Sequence, residues 1–261
     1  MCVDLFAAFG VCEDTKAKRR VWGSSLIALQ VDVPYDLYVL NDIDPDATAA
    51  LADRARRIGV AGAVVFELDL REPDWREHAL DIKRVVVPWG PKVVITTGDA
   101  NTAHFAVKAL EPDGWHYLCA IIDPQRAIYE WTALEALAYG ERAMDVLMLF
   151  PDEMDLGRGL TAYLEGGGIK LDRCFGPADW RAAVRADPRH APSALRALYE
   201  RQMQRLLGFK IGRPKTVEIA KTRRALYRLV FGSRNKLGIE IWENICRRTP
   251  GEQYEMWLPG V

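Results

Sequence analysis

Short apolar runs alternate with amphipathic, helix-length segments up to Phe150, a pattern that predicts an α/β fold with a mostly parallel sheet. The predicted strands are Val3–Phe9, Asp36–Leu40, Ala63–Leu68, Lys92–Thr97, Leu118–Ile122 and Met144–Phe150. The predicted helices between them are Gly23–Gln30, Asp46–Ile58, Trp75–Val85, Thr102–Leu110 and Glu130–Tyr139. Ser24 or Ser25 suits the N-cap of the first helix, and Pro45 suits the first position of the second.

The pattern changes after Pro151. Glycine-rich loops come first, and two helical stretches, Trp180–Val184 and Ser193–Leu207, follow them. Two short strands, Thr216–Ala220 and Ala225–Phe231, form a predicted hairpin, and the helix Leu237–Arg247 comes next, with Ile241 and Ile245 spaced i, i+4. We therefore predict a Rossmann-like core (1–151), a helical insertion (152–208), and a C-terminal hairpin and helix that complete the sheet (209–261).

Three apolar runs stop at acidic residues, in the segments Asp4–Gly10, Leu37–Asp44 and Leu118–Pro124. Ligands of open parallel sheets bind outside the carboxyl ends of the strands, so these ends predict one cleft lined with carboxylates. Carboxylates accept hydrogen bonds from ribose hydroxyls and repel phosphates. The pattern therefore favours S-adenosylmethionine, which carries a ribose and a positive sulfonium and no phosphate.

Composition excludes several classes of protein. The chain has 261 residues, is 49% apolar and has a mean hydropathy of −0.11, which is typical of one large α/β domain with an appendage. Its apolar stretches are shorter than a membrane helix requires, and no signal-peptide pattern opens it. The five cysteines are scattered without a CxxC pair. We predict a cytoplasmic protein with reduced cysteines, no metal site and no membrane contact.

The charge distribution is uneven. Residues 201–236 contain eleven basic residues and one acidic residue, a net charge of +10 in a chain whose overall charge is −1. This segment predicts a surface for DNA or RNA. The contact residues predicted there are Lys221, Arg223, Arg224 and Arg228. The alternative is a solvated hairpin and helix face that pairs with the acidic remainder of the chain.

Several segments resemble known proteins. Four of them resemble class I S-adenosylmethionine-dependent methyltransferases: Asp4–Ala7, Asn41–Asp44, Gly98–Asn101 and Ile122–Pro124. The closing segments Leu226–Ser233 and Leu237–Trp242 narrow the resemblance to the bacterial three-Cys-motif partner protein family. Two further segments support the resemblance. Gly23–Leu26 stands where family members carry a GSPL segment, and Phe150-Pro151 with Arg158 resembles the family's FP…R stretch.

The resemblance implies a class I methyltransferase fold, S-adenosylmethionine as cofactor, and a partner similar to radical-chemistry proteins with three cysteines. Two departures affect the cofactor site. Ala8, followed by Phe9, replaces a glycine that would let the backbone approach the cofactor closely. The family's helix before the first strand is also missing, which would expose one side of the site.

The cofactor-binding residues that the resemblance implies are Asp4, Phe6, Ala7, Ala8, Gly10, Asn41, Asp42, Asp44, Asp99 and Ala100. Asp4 would fix the amino group of the methionine moiety, directly or through water, or else only cap the turn. Asp42 would bind ribose hydroxyls, with Asn41 or Asp44 as alternatives, and Asp44 also suits an N-cap. Asp99 would bind the adenine amino group, with Asp69 as a rival.

Asp123 and Pro124 lie where amino-methyltransferases carry a [DN]PP[YF]-type motif, so the resemblance implies the catalytic role for them. Such a motif accepts hydrogen bonds from a target amine and aligns it with the methyl group. Gln125 and Arg126 replace the second proline and the aromatic residue, so Tyr129 or Trp131 would have to supply the ring. Alternatively, Asp-Pro only ends a strand.

The sequence thus predicts a methyltransferase that acts on a nucleic-acid base or another nitrogen nucleophile. The alternative is a non-catalytic, methyltransferase-like protein that binds nucleic acid or another protein. A nicotinamide-dependent dehydrogenase is disfavoured because no GxGxxG follows the first strand.

Overall fold

The structure is a computed structural model that describes residues 1–14, 19–58, 62–114, 117–124, 129–140, 142–150, 155–218 and 225–247. The described residues divide into two compact units, Met1–Ile121 and Ile122–Arg247. The domain boundaries predicted after residues 151 and 208 both lie within the second unit and stay predictions.

The first unit carries most of the parallel strands. In chain order the elements are β1 (Cys2–Asp4), β2 (Val11–Asp14), β3 (Arg19–Trp22), α1 (Ser24–Ala28), β4 (Leu37–Asp42), α2 (Pro45–Ile58), β5 (Val64–Asp69), α3 (Trp75–Arg84), β6 (Lys92–Thr97), α4 (Ala103–Leu110) and β7 (Leu118–Ile122). Five strands are parallel, in the order β7-β1-β4-β6-β5, while β2 and β3 form a separate antiparallel hairpin.

The strand order identifies where a ligand would bind. From β1 the chain passes to β4 and then to the edge strand β5, and β6 inserts between β4 and β5. The chain then returns to β7 on the other side of β1. The Cα of Asp4 therefore lies beside Leu40 on one side and Ile121 on the other. This reversal makes the carboxyl end of β1 the topological switch point, which is where open α/β sheets bind ligands.

The core of the first unit lies between the parallel strands and their helices. Tyr38 and Leu40 on β4 and Ile95 on β6 are fully buried, and Leu51 and Ala55 on α2 pack against them. Strands that are buried on both faces read as continuous apolar runs, which is why β4 and β6 were predictable from the sequence.

The second unit combines helices with an antiparallel sheet. Its elements are α5 (Trp131–Leu137), β8 (Met144–Phe150), α6 (Gly157–Glu165), α7 (Ile169–Phe175), α8 (Trp180–Ala186), α9 (Ala191–Leu207), β9 (Lys210–Ile211), β10 (Lys215–Glu218), β11 (Ala225–Ser233) and α10 (Lys236–Arg247). Strand β11 pairs antiparallel with β8, β9 and β10. The buried ring of Tyr199 lies 5.4 to 5.9 Å from the rings of Trp131, Phe150 and Phe175 and forms an aromatic centre with them.

Two predictions near the start of the chain are wrong. The strand predicted over Val3–Phe9 ends at Asp4, because the Asp4 carboxylate accepts a hydrogen bond from the Phe6 N–H and turns the chain. Gly23, not a serine, is the N-cap of α1. The two serine hydroxyls are used elsewhere, since that of Ser24 donates to Asp4 and that of Ser25 to Ala7 O.

The loop predicted from the glycines after residue 156 is also wrong, because α6 and α7 form there. Leu156 and Leu171 are buried at 1% and 0% exposure, so packing outweighs the low helix propensity of glycine. Gly168, with φ of 74°, makes the left-handed turn into α7. The hairpin β2–β3 and the short β9 were not predicted.

The remaining predicted elements match the structure to within about two residues at each end. The predicted fold class is confirmed. The chain has a Rossmann-like α/β fold with parallel strands, a helical insertion (α6–α9) and a C-terminal antiparallel hairpin (β10–β11).

Candidate functional site

The chain after β1 folds into a tight turn, residues 5–10, here called the β1 turn. The Ala7 N–H donates to Asn41 O at 2.8 Å, and the Gly10 N–H donates to Ala7 O at 3.1 Å. Ala8 has a φ of 47°. This left-handed conformation costs a residue with a side chain about 1–2 kcal/mol, so other contacts have to hold the turn.

Asp42, predicted to bind ribose, supplies one of these contacts. Its Oδ2 accepts the Ala8 N–H at 2.9 Å, and its Oδ1 accepts the Asp44 N–H at 3.0 Å. The side chain is half-buried. Each carboxylate oxygen has two lone pairs, so both oxygens retain capacity to accept from a ligand hydroxyl. The sequence analysis missed this structural role of Asp42.

Asp4 lies beneath the β1 turn and is fully buried. Its Oδ1 accepts the Phe6 N–H at 3.2 Å, and its Oδ2 accepts the Ser24 hydroxyl at 2.6 Å. Asp4 therefore positions the turn and Ser24 and does not face solvent. The predicted contact with a methionine amino group stays a prediction, and Ser24 is the half-buried group that joins Asp4 to the surface.

Asn41 links three strands through a fully buried side chain. Its Nδ2 donates to Leu5 O at 3.2 Å and to Gly98 O at 3.1 Å, and its Oδ1 accepts the Thr96 hydroxyl at 2.9 Å. Both amide hydrogens are used in these bonds. Asn41 thus ties the end of β4 to the segments that follow β1 and β6, and its side chain offers no further donor to a ligand.

Four further residues of the predicted site, Phe6, Ala7, Gly10 and Ala100, contribute mainly to packing. Ala7 and Ala100 are buried, and Phe6 is half-buried. A Cβ at Gly10 would lie 2.6 Å from Leu51 Cδ1, and φ there is 68°. Glycine is therefore required at position 10 because the chain packs closely on α2 and has a left-handed backbone there, not because a ligand approaches closely.

Asp99 and Asp69, the two candidates for binding adenine, differ in their contacts. Asp99 follows β6, is exposed and accepts the Asn101 N–H at 2.9 Å. Asp69 ends the edge strand β5, and the Arg71 guanidinium engages both of its oxygens at 2.7 and 2.5 Å, which lowers the pKa of Asp69. Adjacent strands are about 4.8 Å apart, so Asp99 is one strand from Asp42 and Asp69 is two.

The segment after β4 adds a cap and an exposed apolar side chain. Asp44 Oδ1 accepts the Asp46 N–H at 2.9 Å, and Pro45 is the first residue of α2, so the predicted N-cap is confirmed. Ile43 is 67% exposed between the two aspartates. It offers an apolar surface next to two carboxylates, which the sequence analysis did not single out.

Asp123 and Pro124 follow β7 directly, two residues after Ile121. Asp123 keeps contact with solvent, yet the protein atoms around it desolvate the carboxyl group and raise its pKa. Pro124 is buried. A carboxyl group in this environment is well suited to accept a proton or a hydrogen bond.

The aromatic residues predicted to stack beside Asp123 do not face solvent. Tyr129 is 2% exposed, and burial raises the pKa of its phenol, while Trp131 is fully buried in the aromatic centre. Gln125 and Arg126 lie outside the described residues. The prediction that either ring is presented to a substrate base is therefore wrong, because both rings are used in packing.

The basic segment is only partly exposed as predicted. Five of its described cations are exposed: Arg201, Arg205, Lys210, Arg213 and Lys236. Arg228 is half-buried, and three of the predicted contacts, Lys221, Arg223 and Arg224, lie outside the described residues. The nucleic-acid prediction is not tested by this arrangement.

Arg234 shows why the net charge of the basic segment overstates the positive charge on its surface. Its guanidinium donates to Ala138 O at 2.6 Å, Gly140 O at 2.5 Å and Leu207 O at 2.9 Å. It also lies over the ring of Phe209 at 5.2 Å. Arg234 is thus a structural cation that joins the end of α5 to the end of α9.

Across the residues that the structure describes, no group of three His, Cys, Asp or Glu side chains is arranged to hold a metal ion. None of the described helices is both long enough and apolar enough to cross a membrane.

Comparison with known proteins gives a distant likeness among solved structures. No protein-family model matches the chain, and no curated protein matches it. Among solved structures, it is similar to the methyltransferase domain of bacterial CtHen1-CN, with 10% sequence identity, a TM-score of 0.39 and coverage of 89% of each chain. A likeness this distant assigns no family, so the resemblance to three-Cys-motif partner proteins stays an expectation from the sequence.

Proposed function

We propose that this protein is an S-adenosylmethionine-dependent methyltransferase that acts on a nitrogen nucleophile, with a nucleic-acid base as the expected substrate. The observation that carries the proposal is the pair of acidic residues beside the topological switch point, where Asp42 ends β4 and Asp99 follows the adjacent strand β6. Open α/β sheets bind nucleoside-containing ligands at this position.

The chemistry of the crevice fits this cofactor. The carboxylates of Asp42 and Asp99 lie at the ends of the first and second strands beside β1. They can bind ribose hydroxyls, an adenine amino group and a positive sulfonium, and they repel the phosphates of a dinucleotide. The exposed side chain of Ile43 suits the face of an adenine ring. Arg54 of α2 donates to Phe9 O at 2.7 Å, so its charge is engaged by the backbone of the β1 turn.

The bound cofactor would supply an electrophilic methyl group. In the proposal, Asp42 and Asp44 bind the ribose hydroxyls, Asp99 binds the adenine amino group, and Ser24, held by Asp4, binds the methionine moiety. Asp123 would accept a hydrogen bond from the target amine and then its proton. Its raised pKa supports this role, because proton acceptors work best when their pKa lies nearer the working pH.

Calorimetric titration with S-adenosylmethionine and S-adenosylhomocysteine tests the cofactor. We expect both to bind with a dissociation constant near the micromolar range. Asp99→Asn should weaken binding about tenfold or more, as is typical when a hydrogen bond to a charged group is lost. Asp69→Asn is the matched control and should have little effect, because Arg71 already occupies that carboxylate. A folded sample that binds neither compound would refute the proposal.

Two observations favour a second function, a non-catalytic module that binds nucleic acid. Ala8 carries its side chain in a left-handed turn where the family resemblance expects glycine, and five described cations of the basic segment are exposed. Salt-dependent binding of DNA or RNA without cofactor binding would support it. Arg201→Glu with Arg205→Glu should weaken such binding, while Arg185→Glu, a charge reversal at another exposed arginine, serves as the control.

The resemblance to three-Cys-motif partner proteins adds a proposed partner, a radical-chemistry protein with three cysteines. Co-purification of the two proteins tests this part, and it can fail without affecting the cofactor assignment.

A further inference from the structure

The amino ends of the parallel strands border a cavity of about 610 Å³, here called the amino-end cavity. Its apolar walls are Leu37 at the start of β4, Leu80 on α3, Val87, Leu110 at the end of α4, and Pro112. A cavity of this size can hold a drug-sized ligand, and therefore also one large side chain. It lies at the end of the sheet opposite the acidic strand ends of the candidate cofactor site.

The loop between α3 and β6, residues 85–91, carries a large apolar group beside this cavity. Val87 and Gly90 line the cavity, while Trp89 between them is 82% exposed and Val86 is 83% exposed. The end of the loop is anchored, because Pro91 O accepts the Val64 N–H of β5 at 3.1 Å. Large apolar side chains that an anchored loop presents to solvent indicate an interaction surface.

Charged side chains of both signs surround the cavity. Its described lining includes three cations, Lys83, Arg84 and Lys92, and two carboxylates, Asp36 and Asp113. Nearly balanced charge does not favour a polyanion or an anionic membrane, since both require a clear excess of cations. It favours a protein surface that also carries both signs.

The outer charges of the cavity can exchange partners easily. Lys83 Nζ lies 2.8 Å from Asp113 Oδ1, and the Asp113 side chain is 96% exposed. Arg84 pairs with Asp81 at 3.1 Å, and both of these side chains are exposed. Exposed ion pairs of this kind contribute about 0–1 kcal/mol, so replacing them with pairs across an interface costs little.

We propose that a second copy of this chain docks on this surface about a two-fold axis, so that Trp89 of each copy enters the amino-end cavity of the other. A two-fold interface uses the same patch on both copies, so the patch has to be complementary to itself. This one carries a projecting indole, a cavity that can receive it, and charges of both signs. Tryptophan in a pocket is also the commonest kind of energetic anchor in protein interfaces.

The area of the contact predicts a weak dimer. A tryptophan side chain buries about 150–250 Å², so an 82% exposed one has about 120–200 Å² left to cover. Two such side chains and the cavity walls that they cover remove about 500–800 Å² from water. Stable interfaces bury at least about 1,200 Å², so we expect a dissociation constant on the order of tens of micromolar.

Sedimentation equilibrium of the full chain, in reducing buffer and from micromolar to near-millimolar concentration, tests the dimer. Trp89→Ser should weaken self-association about tenfold or more. Tyr139→Ser is the matched control, because Tyr139 is an aromatic residue of similar exposure, 77%, in the other compact unit, and it should change nothing. A chain that stays monomeric over the whole range overturns the proposal, even if it sediments with anionic vesicles, and so does equal weakening in both variants.

A mixing experiment tests the insertion of Trp89 itself. Leu80→Arg blocks the cavity and keeps the indole, whereas Trp89→Ser keeps the cavity and removes the indole. Both positions are exposed, Leu80 at 44%, so both variants should keep the melting temperature of the unmodified protein. A fluorescently labelled Leu80→Arg chain should associate with excess Trp89→Ser chain more tightly than either variant associates with itself, because one of the two insertions is retained. If the mixture associates no more tightly, Trp89 does not enter the cavity.

Discussion

Exchanging alanine and glycine at two positions of the β1 turn is expected to change stability in opposite directions. Ala8 and Gly10 both have left-handed backbone, with φ of 47° and 68°. Ala8 is exposed, whereas a Cβ at Gly10 would meet Leu51 Cδ1 at 2.6 Å and Leu26 Cγ at 2.8 Å. The two positions thus share a backbone conformation and differ in the space around them.

The expected magnitudes follow from these two differences. Ala8→Gly removes about 1–2 kcal/mol of left-handed strain and adds about 0.4–1 kcal/mol of unfolded-chain entropy, for a net gain of about 0.5–1 kcal/mol. Gly10→Ala adds the same strain and also about 1–3 kcal/mol of overpacking, and it regains about 0.4–1 kcal/mol of unfolded-chain entropy, for a net loss of about 1–4.5 kcal/mol.

Urea unfolding followed by circular dichroism measures both free energies of unfolding. Gly140→Ala is the control for strain alone, because φ there is 76° and no atom lies within 4 Å of the new Cβ. A loss of stability in Ala8→Gly would refute the strain at Ala8. A Gly10→Ala variant as stable as Gly140→Ala would refute the packing of Gly10 against α1 and α2.

Three further substitutions test other parts of the structure. Asn41→Ala should lower the free energy of unfolding by about 3–5 kcal/mol, because it leaves Leu5 O and Gly98 O without their buried donor; a loss below about 1 kcal/mol in urea unfolding would contradict this. Arg234→Gln should cost about 2–4 kcal/mol in the same assay, because backbone carbonyls of α5 and α9 lose a charged donor, and an unchanged midpoint would exclude that role. The raised pKa of Asp123 means that the fold disfavours its ionised form, so the penalty is absent at pH values below the ordinary carboxyl pKa and complete above the folded pKa. Asp123→Asn should therefore raise the melting temperature at neutral pH and not at acidic pH; equal melting shifts at both pH values would count against it. Under the proposed function, the same substitution should also remove the rise of methyl transfer with pH.

Local chemistry was enough to predict most strands and one cap. β6, β7 and β8 are apolar runs buried in a sheet, and their ends agree with the sequence prediction residue for residue. Asp44 before Pro45 is a cap in the structure as well, because both residues act within one turn of α2. Such signals depend on neighbours in sequence, so no tertiary information was needed.

The candidate site required more than the sequence. Asp4, Asp42 and Asn41 were predicted as cofactor ligands from their position at strand ends, yet their side chains bond mainly to backbone and hydroxyl groups of the protein itself. An aspartate that binds a ligand and an aspartate that stabilises a turn cannot be told apart in the sequence, because both are aspartates at the end of a strand. Which atoms they contact depends on segments distant in the chain, as with Ala8 and Asp42, which are 34 positions apart in the sequence.

The sequence by itself determined the alternation of strands and helices and the acidic ends of the parallel strands, because hydrophobic periodicity and capping are local properties of the chain. Only the tertiary structure decided that β6 lies between β4 and β5, that Tyr129 and Trp131 are packing residues, and that α10 buries Trp242 while its isoleucines stay half-exposed. Strand order, burial and the choice of helix face depend on contacts between distant segments, and the free energy of those contacts outweighs local preference.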